Sequence, residues 1–169
     1  MKKTIIEKFA VPEKKIEIVY NAIDETLFSP MPRHIAVQKT GILGSPVFLC
    51  VARLEREKGA QNAILAMHSL IKDYPTALLI IVGDGSYRPQ LEFLAKDLKV
   101  HHNVKFTGFV DFSLLPQYFN ACDMFLNPTI RQDGYDLTVL EAMSCEKPVI
   151  ASNIGSMPTA ISHGKDGIL

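Results

Sequence analysis

From residue 46 onward, apolar runs alternate with segments whose apolar positions have helical spacing. Short runs rich in strand-forming residues occur at 46–52, 77–83, 104–108, 123–127 and 148–152. Between the first two runs, apolar residues recur at positions 63, 64, 67, 70 and 71, which describes one face of a helix. The pattern therefore predicts five strands, with helices after Gly59 and over 87–98, 112–121 and 137–145.

The order of these elements predicts the fold class. The runs at 46–52 and 77–83 are apolar throughout rather than alternating, so both of their faces must be covered. Strands that alternate with helices form right-handed crossovers in an open parallel sheet. We therefore predict an α/β, Rossmann-like, doubly wound parallel sheet. Ligands of such sheets bind outside the carboxyl ends of the strands, so the loops that follow strands are the candidates for function.

The first 45 residues have a different pattern. Residues 2–9 predict a short helix and residues 16–20 a strand, and several Pro and Gly residues between 30 and 46 predict a linker or surface loop. We therefore divide the chain into an N-terminal helix, strand and linker segment, 1–45, and a Rossmann-like domain, 46–169.

Composition narrows the classes of function. The 169 residues carry 18 basic and 18 acidic side chains, so there is no basic excess to favour nucleic-acid binding. The cysteines at 50, 122 and 145 fit no metal or redox spacing, and we expect buried free thiols in a reducing compartment. The N-terminus lacks the apolar core of a secretory signal, and no apolar run is long enough to span a bilayer. We expect a cytoplasmic protein.

Two of the loops that follow strands contain candidate phosphate ligands. The loop 52–59 carries Arg53 and Lys58, which could clamp a diphosphate; the alternative is a solvated charged loop. The loop 82–89 contains Gly83 and Gly85, but Arg88 stands where the dinucleotide fingerprint needs a third glycine. We therefore predict a tight turn there, with Gly83 at positive φ and Asp84 available to the cleft.

The segment 131–152 carries two carboxylates beside a predicted helix start. Asp136 or Thr138 can cap a helix that begins near Leu137, and the amides of its first turn would favour an anion. Asp133 and Glu141 flank this positive end, and carboxylates accept hydrogen bonds from hydroxyl groups. Cations and amides beside carboxylates suit a sugar nucleotide; the alternative is a surface Asp and a solvated helical Glu.

Residues 11–169 resemble the C-terminal, nucleotide-sugar-binding half of the retaining glycosyltransferases of family four, which have the GT-B fold. Seven segments match in the family's order: VPEKKIEIVYNAIDETLFSP, VARLEREKG, IVGDGS, NVKFTGFV, LLPQYFNACDMFLNPT, DGYDLTVLEAMSCEKPVIASNIGSMPTAI and HGKDGIL. Each segment is weakly specific, but seven in order over nearly the whole chain are strongly specific.

The resemblance implies a role for each matching residue. Arg53 and Lys58 match the pair that neutralises the donor diphosphate, and Asp133 matches a Glu that contacts the transferred sugar; these are the expected catalytic residues. Glu141 matches a Glu that binds the ribose hydroxyls. The remaining expected donor-binding residues are Gly83, Phe109, Val110, Gly134, Tyr135, Asp136, Leu137 and Thr138, of which Phe109 and Val110 match the loop beside the base.

Four residues depart from the family pattern. Asp133 stands where the family has Glu, and Asp136 replaces a Gly near the diphosphate, where it adds a negative charge unless it points away as an N-cap. Thr159 replaces a Glu, and Glu146 replaces a Gly at a helix end. The contacts expected from residues 133–138 are therefore the least secure part of the resemblance.

The resemblance implies transfer of a hexose from a nucleoside-diphosphate sugar, UDP-linked by family frequency, to a glycan or lipid-linked acceptor. The family's reaction retains anomeric configuration and needs no cofactor or metal, and the chain has no Asp-x-Asp triplet and no ligand-spaced His/Asp cluster. Lipid-linked acceptors would bring the full-length protein to the inner membrane face, although these residues show no anchor.

The resemblance also implies further parts of the protein. An acceptor-binding N-terminal domain and a strand-helix stretch after Leu169 are expected beyond the sequence, so this chain alone should bind a nucleotide without transferring sugar. Two alternatives stay open. One is another GT-B enzyme, an epimerase or a phosphorylase; the other is an interaction domain that has lost its ligand site.

Overall fold

The computed structural model describes residues 2–19, 21–132 and 134–169. Its centre is a five-stranded sheet in which every pair of neighbouring strands is parallel. The strands are β1 (Val47–Val51), β2 (Leu78–Val82), β3 (Val104–Gly108), β4 (Met124–Asn127) and β5 (Val149–Ala151). Their order in the sheet is β3-β2-β1-β4-β5, so the direction of winding reverses between β1 and β4. This confirms the predicted doubly wound sheet.

Helices cover both faces of the sheet. Successive strand residues point to opposite faces, and each face packs against helices in its own buried cluster. The helices of the described chain are α1 (Lys2–Phe9), α2 (Arg33–Thr40), α3 (Ala60–Leu70), α4 (Arg88–Asp97), α5 (Leu115–Ala121), α6 (Leu137–Ser144) and α7 (Met157–Ala160). Leu79 and Ile81 pack with α3 and α4 on one face, whereas Ile80 and Val82 pack with α2, α5 and α6 on the other. The helices predicted after β1, β2, β3 and β4 are all present.

The segment predicted as a linker is a helix packed on the domain. Helix α2 follows Pro32 and ends at Gly41, which has a left-handed φ of 65°. Its Ala36 is buried in the same cluster as Phe119 of α5. The Asn120 side chain accepts a 2.8 Å hydrogen bond from the Met31 amide and donates one of 3.0 Å to the Ser29 carbonyl. A buried amide that binds two backbone groups fixes this segment, so the prediction of a surface loop is wrong.

The N-terminal prediction is half right. Residues 2–9 form α1, as expected, although none of its residues is buried. Residues 16–19 are not in a strand, and Tyr20 lies outside the described residues. Ile18 and Val19 are exposed, and the edges of the sheet are β3 and β5. Apolar residues alone do not make a strand, because its backbone groups need a partner strand. The division of the chain at residue 45 stays a prediction.

Candidate functional site

The loop after β1 brings two cations to the carboxyl edge of the sheet. Leu54 is fully buried, and its amide donates a 2.9 Å hydrogen bond to the carbonyl of Asp84 in the loop after β2. Arg53 precedes this anchor and is exposed, whereas Lys58 ends a short 3-10 turn and is largely enclosed. The anchor therefore fixes the loop from which both cations reach the edge.

The loop after β2 is the predicted tight turn. Gly83 has a φ of 126°, and a Cβ atom there would lie 1.9 Å from the Ala52 carbonyl oxygen. Only glycine allows the residues that follow β1 and β2 to approach each other this closely at the end of the sheet. The Asp84 carboxylate in this turn lies 3.2 Å from the Arg88 guanidinium and forms an ion pair with it.

The start of α6 differs from the prediction in one respect. Asp136 occupies the N-cap position with extended backbone, but its side chain makes no capping hydrogen bond, and Thr138 lies inside the helix. The Asp136 carboxylate instead forms an ion pair with Lys58 through Oδ1 and accepts a 3.2 Å hydrogen bond from Asn127 Nδ2 through Oδ2. Its negative charge therefore faces Lys58, and the expectation that it caps the helix is wrong.

These loops enclose two adjoining cavities at the point where the winding of the sheet reverses. The first, of about 270 Å³, includes Arg53, Lys58, Tyr135, Asp136, Leu137 and Thr138 in its lining. The second, of about 310 Å³, includes Arg53, Gly83, Asp84, Phe109, Val110 and Thr138. Arg53 and Thr138 line both, so one continuous site joins the loops after β1, β2 and β3 to the start of α6.

Most of the predicted site residues meet here; of the described ones, Gly134 and Glu141 line neither cavity. Gly134 is exposed, and its carbonyl accepts a 2.9 Å hydrogen bond from Ser156 Oγ. Asp133 lies outside the described residues. Glu141 lies one turn beyond Thr138 on α6, and its side chain belongs to the lining of neither cavity.

Glu141 is a buried carboxyl group next to the site. It is 6% exposed, and its Oε2 has no hydrogen-bond partner within the described chain. Burial raises the pKa of Glu141 from 4.5 to about 7, because removal from water penalises the charged form. A hydroxyl group that reached Oε2 would satisfy this acceptor.

The residue pattern missed Asn127, which ends β4 and holds the Asp136 carboxylate. A polar residue at the carboxyl end of a strand beside the switch point is the pattern that would have found it. Cys50 also lines the first cavity, and burial raises its pKa to about 12, which keeps the thiol protonated at neutral pH. The three cysteines are free and buried, as predicted.

Two further expectations concern the surroundings of the site. Among the described residues, no group of three or more His, Cys, Asp and Glu side chains could hold a metal ion. None of the described helices has the length and apolar character needed to cross a membrane.

Glu146, which stands where the family usually has Gly, has a left-handed φ of 56° just after α6. This conformation is the physical reason for the usual glycine.

The fold and the site together define a Rossmann-like α/β domain with a pocket at the switch point of its sheet, lined by Arg53, Lys58 and the start of α6. The family model for glycosyl transferases group 1 matches residues 33–169, which is most of the chain. The chain therefore belongs to this family, which confirms the resemblance found in the sequence.

Individual relatives agree with this assignment. An uncharacterized glycosyltransferase of Methanocaldococcus jannaschii is 30% identical over 177 residues, which cover 99% of this chain and 44% of that protein. A GDP-mannose-dependent α-(1-6)-phosphatidylinositol monomannoside mannosyltransferase of Mycobacterium tuberculosis is 32% identical over 166 residues, covering 94% of this chain and 43% of the relative. The chain thus spans less than half the length of these curated relatives.

Solved structures have the same fold. HepE of Anabaena in complex with UDP matches with a TM-score of 0.86 and 26% identity, over 99% of this chain and 46% of that one. The C-terminal domain of a glycosyl transferase group 1 family protein of Francisella tularensis matches with a TM-score of 0.78 and 26% identity, over 88% of this chain and 79% of that domain.

Proposed function

We propose that this chain binds the diphosphate of a nucleotide sugar, as the donor-binding part of a metal-independent, retaining glycosyltransferase. The observation that carries the proposal is the convergence of Arg53, Lys58 and the start of α6 on one cavity. Two cations and a helix N-terminus provide charge-assisted hydrogen bonds and a favourable dipole for an anion. The complexes of HepE with UDP and UDP-glucose support this ligand class.

The same arrangement suits the chemistry of sugar transfer. As the bond between the anomeric carbon and the diphosphate oxygen breaks, its electrons remain on the leaving diphosphate and the sugar becomes oxocarbenium-like. Arg53, Lys58 and the amides near Leu137 would stabilise that developing charge without reorganisation. Asp133 would contact the transferred sugar.

The nucleoside would extend into the second cavity. Phe109 and Val110 line its outer side, and Glu141 lies next to the site with an acceptor oxygen unused within the described chain. We propose that the base lies against the 109–110 loop and that Glu141 accepts hydrogen bonds from the ribose hydroxyls. The relatives include a GDP-mannose-dependent enzyme as well as UDP complexes, so both bases belong in the test.

Transfer itself would require residues beyond these 169. The chain spans 43–44% of its curated relatives, and the family resemblance assigns acceptor binding to an N-terminal domain. In the proposal, the whole protein transfers a hexose to a glycan or lipid-linked acceptor, whereas this chain alone binds the donor.

Calorimetric titration with UDP and GDP tests donor binding. We expect Arg53→Ala to weaken binding of the preferred nucleotide by about tenfold or more, since hydrogen bonds to charged groups contribute about 1.5–3 kcal/mol. Arg56→Ala, an exposed arginine in the same loop, is the matched control and should change affinity by less than about threefold at physiological salt.

The outcome is decisive in either direction. If the unmodified chain binds neither nucleotide at millimolar concentration, the proposed function is wrong. An equal loss in the Arg53→Ala and Arg56→Ala variants would assign binding to the general charge of the loop and not to the pocket.

A further inference from the structure

A carboxylate lies among the groups that attract an anion. Asp136 is held on one side by Lys58 and on the other by Asn127, whose amide lies 3.2 Å from Oδ2. The Lys58 and Asp136 side chains are only 13% and 21% exposed, so water screens their charges poorly. The negative charge is therefore a fixed feature of the pocket.

This carboxylate lowers the positive potential of the pocket. The charge of Lys58 is compensated by its partner. Among the described residues of the lining, this leaves Arg53 and the start of α6 as the uncompensated positive groups. A bound phosphate chain meets these groups and is repelled by Asp136. That repulsion grows in proportion to the charge of the ligand.

The two forms of a sugar donor differ in that charge. A free nucleoside diphosphate has an unesterified terminal phosphate, whose second ionisation lies near pH 6. At neutral pH it therefore carries about one more negative charge than the nucleotide sugar, in which that phosphate is esterified. A fixed carboxylate penalises the free diphosphate more than it penalises the sugar nucleotide.

We propose that Asp136 is a specificity-determining residue that makes the pocket favour a nucleotide sugar over the free nucleoside diphosphate. The inference rests on the proposed function and goes further, because it gives a role to a negative charge in a site proposed to bind a diphosphate. In a transferase this preference would reduce retention of the nucleotide product.

The test compares two ligand pairs, UDP with UDP-glucose and GDP with GDP-mannose, on the 169-residue chain and its Asp136→Asn variant. Asparagine keeps the shape of the side chain and removes its charge. We expect the ratio of the affinity for the free diphosphate to the affinity for the matching nucleotide sugar to rise roughly three- to tenfold in the variant. This is the size of the Coulomb interaction between Asp136 and one additional ligand charge a few ångströms away at intermediate dielectric.

Asp97→Asn provides the control for net charge. Asp97 is an exposed carboxylate at the end of α4, which leads into the start of β3 and so lies at the opposite edge of the sheet. This variant makes the same change in total charge and should leave the ratio of the two affinities within about twofold, because surface charges beyond a Debye length are screened.

The outcomes separate this inference from the proposed function. Binding of both ligands with an unchanged affinity ratio in Asp136→Asn, or weaker binding of the free diphosphate, would overturn the role of Asp136 and leave donor binding intact. A shift of equal size in Asp97→Asn would overturn it as well. Failure of every variant to bind any of the four nucleotides would overturn both.

Discussion

At the scale of single residues, Glu141 is a carboxyl group buried next to the candidate site, in an environment that disfavours its charge. Its spacing from the start of α6 is visible in the sequence, but its burial is not. The carboxyl lies past the first turn of the helix, where the positive end of the dipole has little effect. Desolvation therefore dominates and raises the pKa of Glu141 to about 7. Burial without a hydrogen-bond partner for Oε2 destabilises the charged form of Glu141, and a hydrogen bond from a ligand hydroxyl group would reduce that cost.

This environment predicts a pH dependence of stability. Because the folded-state pKa lies above the ordinary value of 4.5, the folded chain holds this proton more tightly than the unfolded chain does. The free energy of unfolding should fall as pH rises from about 4.5 to about 7 and level off above, by an amount on the order of 3 kcal/mol from this group.

Glu141→Gln isolates the effect, since glutamine is neutral at every pH. Urea unfolding at pH 5, 6, 7 and 8 should give a variant whose stability relative to the unmodified chain increases with pH. Glu146→Gln, at the exposed position just after α6, is the control. A stability difference that stays the same from pH 5 to pH 8 would contradict the prediction.

At the scale of elements, the site depends on how closely two loops approach. Gly59, the N-cap residue just before α3, has a left-handed φ of 76°, and a Cβ atom there would lie 1.8 Å from the Pro128 carbonyl oxygen. The Glu57 carbonyl accepts hydrogen bonds from Ile130 N at 2.9 Å and Thr129 Oγ1 at 3.1 Å. The loop after β1 is therefore fastened to the loop after β4, and this contact brings Lys58 beside Asp136.

Gly41 and Gly59 have similar left-handed backbone conformations but different surroundings. Substituting each one separates the cost of backbone strain from the cost of a steric clash. Gly41, after α2, has a φ of 65°, but no atom lies within 4 Å of a Cβ placed there. Gly41→Ala should cost about 1–2 kcal/mol, the price of a left-handed L-residue. Gly59→Ala should cost about 1–3 kcal/mol more, because the methyl group must displace backbone.

Chemical denaturation of both variants measures these free energies of unfolding. Equal losses of stability in Gly59→Ala and Gly41→Ala would show that the approach of the two loops is looser than the structure has it.

At the scale of the whole molecule, residues before β1 belong to the core that supports the site. Phe28 is fully buried and packs edge-on against Phe112 and Phe119, with ring centroids 5.2 and 5.8 Å apart. Its carbonyl accepts a 2.6 Å hydrogen bond from Ser144 Oγ, at the end of α6. The segment that leads into α2 thus holds together α5 and α6, and the start of α6 lines the candidate site.

Phe28→Ala should therefore destabilise the whole domain by about 3–5 kcal/mol, the usual cost of removing a buried phenyl ring. Phe9→Ala is a matched control at the end of α1, where the ring is 71% exposed and its removal should change stability by less than about 0.5 kcal/mol. Thermal or urea unfolding gives both values. A small effect of Phe28→Ala would separate residues 21–45 from the core and support the division at residue 45.

The features of this protein that could be predicted are those set by residues close together in the sequence. Continuous apolar runs and helical spacing located the five strands and the helices between them, and glycine chemistry located the turn at Gly83. The failures have a common cause. Residues 16–19 have the composition of a strand but find no partner, whereas α2 is weakly patterned and is held by α5.

By itself, the sequence determined the doubly wound sheet, the edge at which the candidate site lies and the residue types gathered there, because side-chain periodicity and chain order dictate them. Only the tertiary structure decided that Asp136 pairs with Lys58, that Glu141 is buried and that Asn120 fixes the chain before α2. The Asp136–Lys58 contact joins residues 78 positions apart, and the Asn120–Met31 contact joins residues 89 apart. Such contacts depend on how the loops are arranged in space, which no local pattern of residues encodes.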